Sequence, residues 1–339
     1  MKRISSSTAV DGMMNVMERL DGQRLNLLRI LTYHRVDDPE KRPFLYPRVT
    51  VKPADFARQM RHVVANYNPV SIEQVLEAQA FPVTHALPPR AILVTFDDAY
   101  CDFAEQAWPI MKQYQVPATL FVPTAFPDQP HRTFWWDRLY QALRTTPRRD
   151  SVTVPFGEVS LKTAAGRNQT LTQVRDYLKS LSHQEAMKWL EQFCYAIGAR
   201  PIEHNSVLGW DELRQLAREG VVLGAHTQTH PLMNRITVEE AKQETLQSVR
   251  DLEQEIGDVS PIFAYPSGGF NDEVVQTLED AGIALAFTTV RGINDLRDAA
   301  PLRLRRINVG PGTTLNTMRA QLLPWSLHFN RLQPLASSV

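Results

Sequence analysis

Short apolar runs of strand length alternate along this chain with amphipathic stretches of helical period, and each run stops on polar or charged residues. That alternation restricts the fold to an α/β array. Parallel strands covered on both faces by crossover helices read as continuous apolar segments, whereas antiparallel strands alternate apolar with polar. LLRILTY at 27–33 ends on His34, and helices are expected from Pro53, through Phe56, Met60 and Val63, and after the capping box of Ser71 and Gln74. AILVTF at 91–96 ends on Asp97-Asp98, and a helix through Phe103, Ala107, Ile110 and Met111 leads to ATLFV at 118–122. The alternation resumes with a helix at 210–219, VVLGA at 221–225, a helix from Thr237 to about Ile256, 262–265, a helix at 272–281, and 284–288. About six strands are read this way.

Between residues 124 and 206 the pattern changes to proline-rich PTAFPDQP, then FWWDRLYQAL, a short strand-like VTVPFGEVSL and long amphipathic stretches. This segment reads as a largely helical insertion. The organisation expected is a polar arm at 1–26, a (β/α) barrel at 27–320 carrying the insertion, and a tail at 321–339. Lys+Arg and Asp+Glu both number 37, so no global field favours nucleic acid or an anionic membrane. The 43% hydrophobic content supports a substantial core and excludes disorder. Cys101 and Cys194 offer neither a redox motif nor a thiolate metal site. The first thirty residues lack a signal-peptide core, and no apolar run reaches the ~18 residues of a membrane span. The expectation is a cytoplasmic protein with no membrane span and no nucleic-acid partner; the sequence leaves the oligomeric state open.

In parallel α/β folds, functional groups gather at the C-terminal ends of strands. His34, Asp97, Asp98, His226, His230 and the loop 266–269 all satisfy that rule. One aspartate after a strand is commonly a helix cap, but two adjacent carboxylates raise each other's pKa unless a cation or donor offsets them. His226 and His230, at i and i+4, can converge on one ion. With Asp98 they supply two imidazole nitrogens and a carboxylate oxygen, a set suited to Zn²⁺ or a similar divalent ion with a position left for water.

These residues carry a resemblance. TFDDAY at 95–100, HTQTHP at 226–231 and FAYPSGGFN at 263–271 are similar, in order, to three motifs of the polysaccharide deacetylases, the NodB-homology domain of carbohydrate esterases. LTYHRV at 31–36 and ATLFV are also similar to segments common in that family. The resemblance implies a distorted (β/α)7 barrel and metal-dependent removal of an N-acetyl group from an amino sugar in a polysaccharide, oligosaccharide or glycolipid. It implies Asp98, His226 and His230 as metal ligands, Zn²⁺ first among divalent ions, and Asp97 as general base. The loop of Tyr265, Pro266, Ser267 and Gly268 would face the substrate, with the Ser267 N–H on the oxyanion and Thr227 supporting its own loop.

The chain departs from the family pattern in three places. Ala264 and Ser267 stand where the third motif often carries an arginine and an aromatic, so Asp97 must be oriented from elsewhere. FTTVRGIND gives no match to the Asp–Trp motif, and the only late histidine is His328 in PWSLHF. His34, at the barrel mouth, is favoured over His328 as the acid that protonates the leaving amine. Trp135 and Trp136 could form a sugar-stacking wall, although anchoring the insertion is the stronger reading of adjacent tryptophans. These departures also motivate a non-catalytic sugar-binding barrel, or hydrolysis of another small amide or formamide, as alternatives.

Overall fold

The computed structural model describes residues 8–19, 24–42, 44–129, 131–200, 206–324 and 327. Seven parallel strands close into a barrel: β1 (Leu27–Tyr33), β2 (Ala91–Phe96), β3 (Thr119–Val122), β4 (Val222–Ala225), β5 (Ile262–Ala264), β6 (Leu285–Arg291) and β7 (Leu304–Asn308). Neighbours in the ring are neighbours in sequence, and closure comes from β1, which pairs with both β2 and β7. The distorted (β/α)7 barrel is therefore the fold. Strand β7 is the one that hydrophobic patterning misses, because LRRIN places two arginines inside a buried strand.

Helices α1 (Thr8–Arg19), α2 (Pro53–Asn66), α3 (Ile72–Ala80), α4 (Trp108–Tyr114), α8 (Trp210–Arg218), α9 (Val238–Ile256), α10 (Asp272–Asp280) and α11 (Leu315–Leu322) accompany the strands. Between β3 and α8 lie α5 (Trp135–Thr145), a hairpin of Ser151–Val154 and Gly157–Ser160, α6 (Ala164–Ser180) and α7 (His183–Ala196). Among the described residues no helix is long and apolar enough to cross a membrane.

The barrel interior is layered by the period-2 alternation of its strands. Leu28, Ile30, Leu93, Phe121, Ile262, Leu285, Phe287 and Leu304 form one buried cluster, with Ile72 and Val75 of α3 joining it. Two residues further along β1, β2 and β7 the same inward positions are polar: Thr32 and Thr95 share a hydrogen bond at 3.2 Å, and Arg306 donates to Thr95 at 3.4 Å. Gly224 lets β4 pass close, since a Cβ there would lie 2.7 Å from both Ile262 and Phe121 side-chain atoms. Apolar floor and polar mouth thus follow from one alternation, and the mouth is where the strand-end residues stand.

Helix α1 is held by charge. Glu18 accepts from Arg319 of α11 at 2.9 and 3.1 Å and pairs with His62 of α2 at 3.0 Å. Burial pushes the Glu18 carboxyl up, but the His62 and Arg319 hydrogen bonds outweigh it and bring it down to about 2. A depressed carboxyl stabilises the folded state above its unfolded pKa and loses that contribution as pH falls through the folded value. Amide protection over α1 should therefore decline from about pH 4.5 toward about pH 2, and Glu18→Gln should show the weakened protection already at pH 7. Equal exchange in the variant and the wild type at pH 7 would contradict the clamp.

Candidate metal centre

Asp98, His226 and His230 meet at the mouth of the barrel, each offering a ligand atom within 4.8 Å of the others. The Asp98 Oδ1 atom lies 3.5 Å from His226 Nε2 and 3.3 Å from His230 Nε2. All three side chains are buried. Their placement requires backbone that L-residues seldom adopt: Asp98 has φ 74°, Ala99 49°, Thr227 63° and His230 60°. Four left-handed residues in two short loops store strain that ordinary turns avoid, a pattern concentrated at functional sites. The two histidines come from an irregular loop after β4, not from a helical turn.

That loop is supported from several sides. The Thr227 hydroxyl accepts from the His230 N–H at 3.0 Å, and the Thr227 carbonyl accepts from the Thr124 N–H at 3.1 Å. Glu244 of α9 accepts from the Gln228 and Thr229 N–H groups, each at 2.8 Å, and from the Thr229 hydroxyl. Glu244 is invisible as a site residue in the sequence, where it reads as one more solvated position on an amphipathic helix.

Hydrogen bonding fixes what the imidazoles can do. His226 Nδ1 lies 2.7 Å from the Ala264 carbonyl oxygen, which can only accept, so Nδ1 carries the proton. In the neutral ring, Nε2 is then a lone pair aimed at the Asp98 carboxylate. Burial lowers the His230 pKa, partly offset by Asp98, which favours the neutral form of that ring. Among the described residues neither Asp98 oxygen receives a hydrogen bond, although both are buried. The contacts of 3.3 and 3.5 Å exceed the ~2.7–2.9 Å of charge-assisted hydrogen bonds. Burial pushes Asp98 up, whereas its contacts with the His226 and His230 side chains bring it well below the ordinary carboxylate value. Acceptors facing acceptors at a buried site would be reconciled by a cation between them. Two imidazoles and a carboxylate fit a divalent ion of the Zn²⁺ type.

Asp97 has a different environment. Both of its oxygens are taken by Arg306 of β7, from Nη1 at 2.8 Å and Nη2 at 2.7 Å, while Arg306 Nε donates to the Thr288 carbonyl at 2.8 Å. Burial would raise the Asp97 pKa, but the Arg306 charge and its hydrogen bonds hold it below the usual value. Arg306 is fully buried. It orients Asp97 from a strand outside the third motif, and the only sequence signal was a pair of arginines in a strand-length segment.

His34 follows β1 at the mouth, half-buried, within electrostatic reach of both Asp97 and Asp98. His328 lies outside the described residues. Tyr265 is fully buried, stacks on Phe270 and donates its hydroxyl to the Leu302 carbonyl at 2.9 Å, so its side chain belongs to the core. Pro266 and Gly268 are buried, whereas Ser267 is exposed at φ 50°; the Gly268 and Gly269 N–H groups are bonded to the Tyr265 and Pro266 carbonyls. Trp136 is buried, donates to the Tyr100 hydroxyl at 2.9 Å and packs edge-on against His230 at 4.9 Å, which makes it an anchor of the insertion. Trp135 is half-buried and, with Phe126, Phe134, Thr229 and His230, lines a cavity of about 290 Å³. Asp137, next in FWWD, accepts from the Tyr100 hydroxyl at 2.9 Å; burial, against Arg35, raises it to about 6.

Comparisons with known proteins agree with this architecture. The family model for polysaccharide deacetylase matches residues 84–286. A Bacillus subtilis (strain 168) protein named for the same family, YxkH, is 21% identical over 223 residues, 66% of this chain; the match spans only 53% of that relative's length. Among solved structures, the Streptococcus pyogenes deacetylase PplD in complex with acetate superposes with a TM-score of 0.59 at 20% identity, covering 88% of this chain and 99% of that one. IcaB from Ammonifex degensii gives 0.57 at 18% identity, covering 88% and 97%.

Removing one partner of a buried ion pair costs roughly 3–5 kcal/mol, because the other charge is left uncompensated. Arg306→Met should therefore lower unfolding stability by about that amount, and adding Asp97→Asn to it should recover a large part. Additive losses in the double variant, measured by denaturant unfolding, would show that the two side chains are not coupled.

Proposed function

Because the chain belongs to the polysaccharide deacetylase family, we propose that it hydrolyses an N-acetyl group from an amino sugar of a polysaccharide, oligosaccharide or glycolipid. The observation that carries this reading is the buried Asp98 carboxylate, without a hydrogen bond, facing two imidazole nitrogens. Asp98, His226 and His230 would hold a divalent ion, Zn²⁺ first. Such an ion would polarise the amide carbonyl and bring the pKa of a water down to about 7.

The remaining chemistry is assigned to this chain's own groups. Asp97, kept ionised and oriented by Arg306, takes a proton from the attacking water. The Ser267 N–H, at the exposed apex of its turn, donates to the oxygen of the tetrahedral intermediate. His34 gives a proton to the departing amine, so that acetate and a free amino sugar result. Trp135 offers an aromatic face beside His230 for a pyranose ring. With Arg306 in place, the lack of an arginine in the third motif no longer argues for a non-catalytic barrel.

Acetate release from N-acetylglucosamine oligomers should be abolished by a chelator and restored by metal. Asp98→Ala and His226→Ala should lose bound metal, whereas Asp97→Asn should keep it and lose roughly 10²–10⁴-fold in kcat; equal metal loss in all three would refute this division of roles. Trp135→Ala should raise KM with little change in kcat, and an unaltered KM would remove it from the substrate path.

A further inference from the structure

A second site lies in the segment between β3 and α8, away from the metal centre. Where α5 meets the start of α6, a cavity of about 440 Å³ is lined by Arg144, Arg149, Lys162 and Arg167, and by the rings of Phe44 and Tyr140. Among the described residues no carboxylate lines it. The nearest acid along the chain, Asp150, is held by both ends of the Arg148 guanidinium, at 2.9 and 2.6 Å. Four cations gathered around one cavity, in a chain whose Lys+Arg and Asp+Glu both number 37, are a local imbalance.

The cluster is built rather than accidental. Arg167 donates to the carbonyl oxygens of Leu161, Leu143, Thr146 and Arg148, at 2.9–3.4 Å, so its charge is fixed in place without being neutralised. Arg149 donates to the Thr146 and Arg148 carbonyls at 2.9 and 2.8 Å. Burial, and after it the like charges of Arg149 and Arg144, lower the Arg167 pKa. Arg144 and Lys162 are exposed, and Arg144 lies over the Tyr140 ring at 5.8 Å. Thr163 and Ala164, at the N-terminus of the 17-residue α6, line the same cavity, which adds the positive end of a helix dipole.

We propose that this cavity binds a phosphate- or diphosphate-bearing ligand. Fixed guanidinium groups, an exposed ammonium and a helix N-terminus together match a multiply charged oxyanion. Phe44 and Tyr140 provide flat apolar surface for the group that the phosphate is attached to. The position separates it from the deacetylation chemistry: Arg144 is eight residues beyond Trp136, about 12 Å along α5 at 1.5 Å per residue. The phosphate arrives either on a soluble sugar or on a lipid headgroup.

The test is calorimetric titration at fixed ionic strength with inorganic pyrophosphate, N-acetylglucosamine 1-phosphate and phosphatidic acid vesicles. Binding of both soluble probes, saturable at or below millimolar concentration, is expected. It should weaken at least tenfold in Arg144→Gln/Lys162→Gln, whose side chains bond no backbone carbonyl among the described residues, and persist in Asp98→Ala, which alters the metal centre. Soluble binding without vesicle binding assigns the phosphate to a soluble ligand; binding of both, lost together in the double variant, assigns it to a lipid headgroup as well. Absence of soluble binding, equal affinity in the double variant, or loss in Asp98→Ala alone would overturn the proposal. Failure of deacetylase activity would leave these outcomes unaffected.

Discussion

A carboxylate that is buried, ionised and without a hydrogen bond needs a positive charge beside it, because desolvating an isolated charge is among the largest penalties a fold can carry. Asp98 is such a group. Its two neighbours at 3.3 and 3.5 Å are imidazole nitrogens, one fixed as a lone pair by the Ala264 carbonyl. The left-handed backbone at Asp98, Thr227 and His230 holds these groups in an arrangement that the polypeptide alone leaves unfavourable. A divalent ion bound there would supply the missing charge and give the strain a purpose.

The adjacent carboxylate shows how neighbours in sequence are driven into different roles. Asp97 receives two hydrogen bonds from Arg306, whereas Asp98 receives none. Consecutive residues leaving a strand point in opposite senses, so Asp97 continues the inward face of Leu93 and Thr95 while Asp98 turns toward the loop after β4. One aspartate is thus paired with a protein cation and the other faces two imidazole nitrogens. The barrel makes this possible by bringing β7 beside β1 and thereby Arg306 next to the end of β2.

Much of this was legible in the chain. Six of the seven barrel strands are continuous apolar runs, and the residues that follow them mark the mouth, because burial ends where the strand does. Strand β7 was hidden because Arg305 and Arg306 interrupt its apolar pattern, although Arg306 is fully buried against Asp97. The loop geometry of His226 and His230 was also hidden, since spacing alone does not distinguish a helical turn from a left-handed loop. Glu244 could not be read as a loop clamp, because its partners are backbone N–H groups brought to it by tertiary structure. Trp136 illustrates the converse: adjacent tryptophans suggested either a sugar wall or an anchor, and burial against His230 assigns this one to anchoring.

Anomalous diffraction from crystals grown without added metal, collected on both sides of the zinc edge, bears most directly on the central claim. The account predicts one strong peak about 2.0–2.2 Å from Asp98 Oδ1 and from the Nε2 atoms of His226 and His230; a neighbouring transition-metal edge would carry the peak if another ion occupies the same ligands. A map with no peak at those three atoms after soaking in divalent metal, or with the peak at other residues, would contradict it.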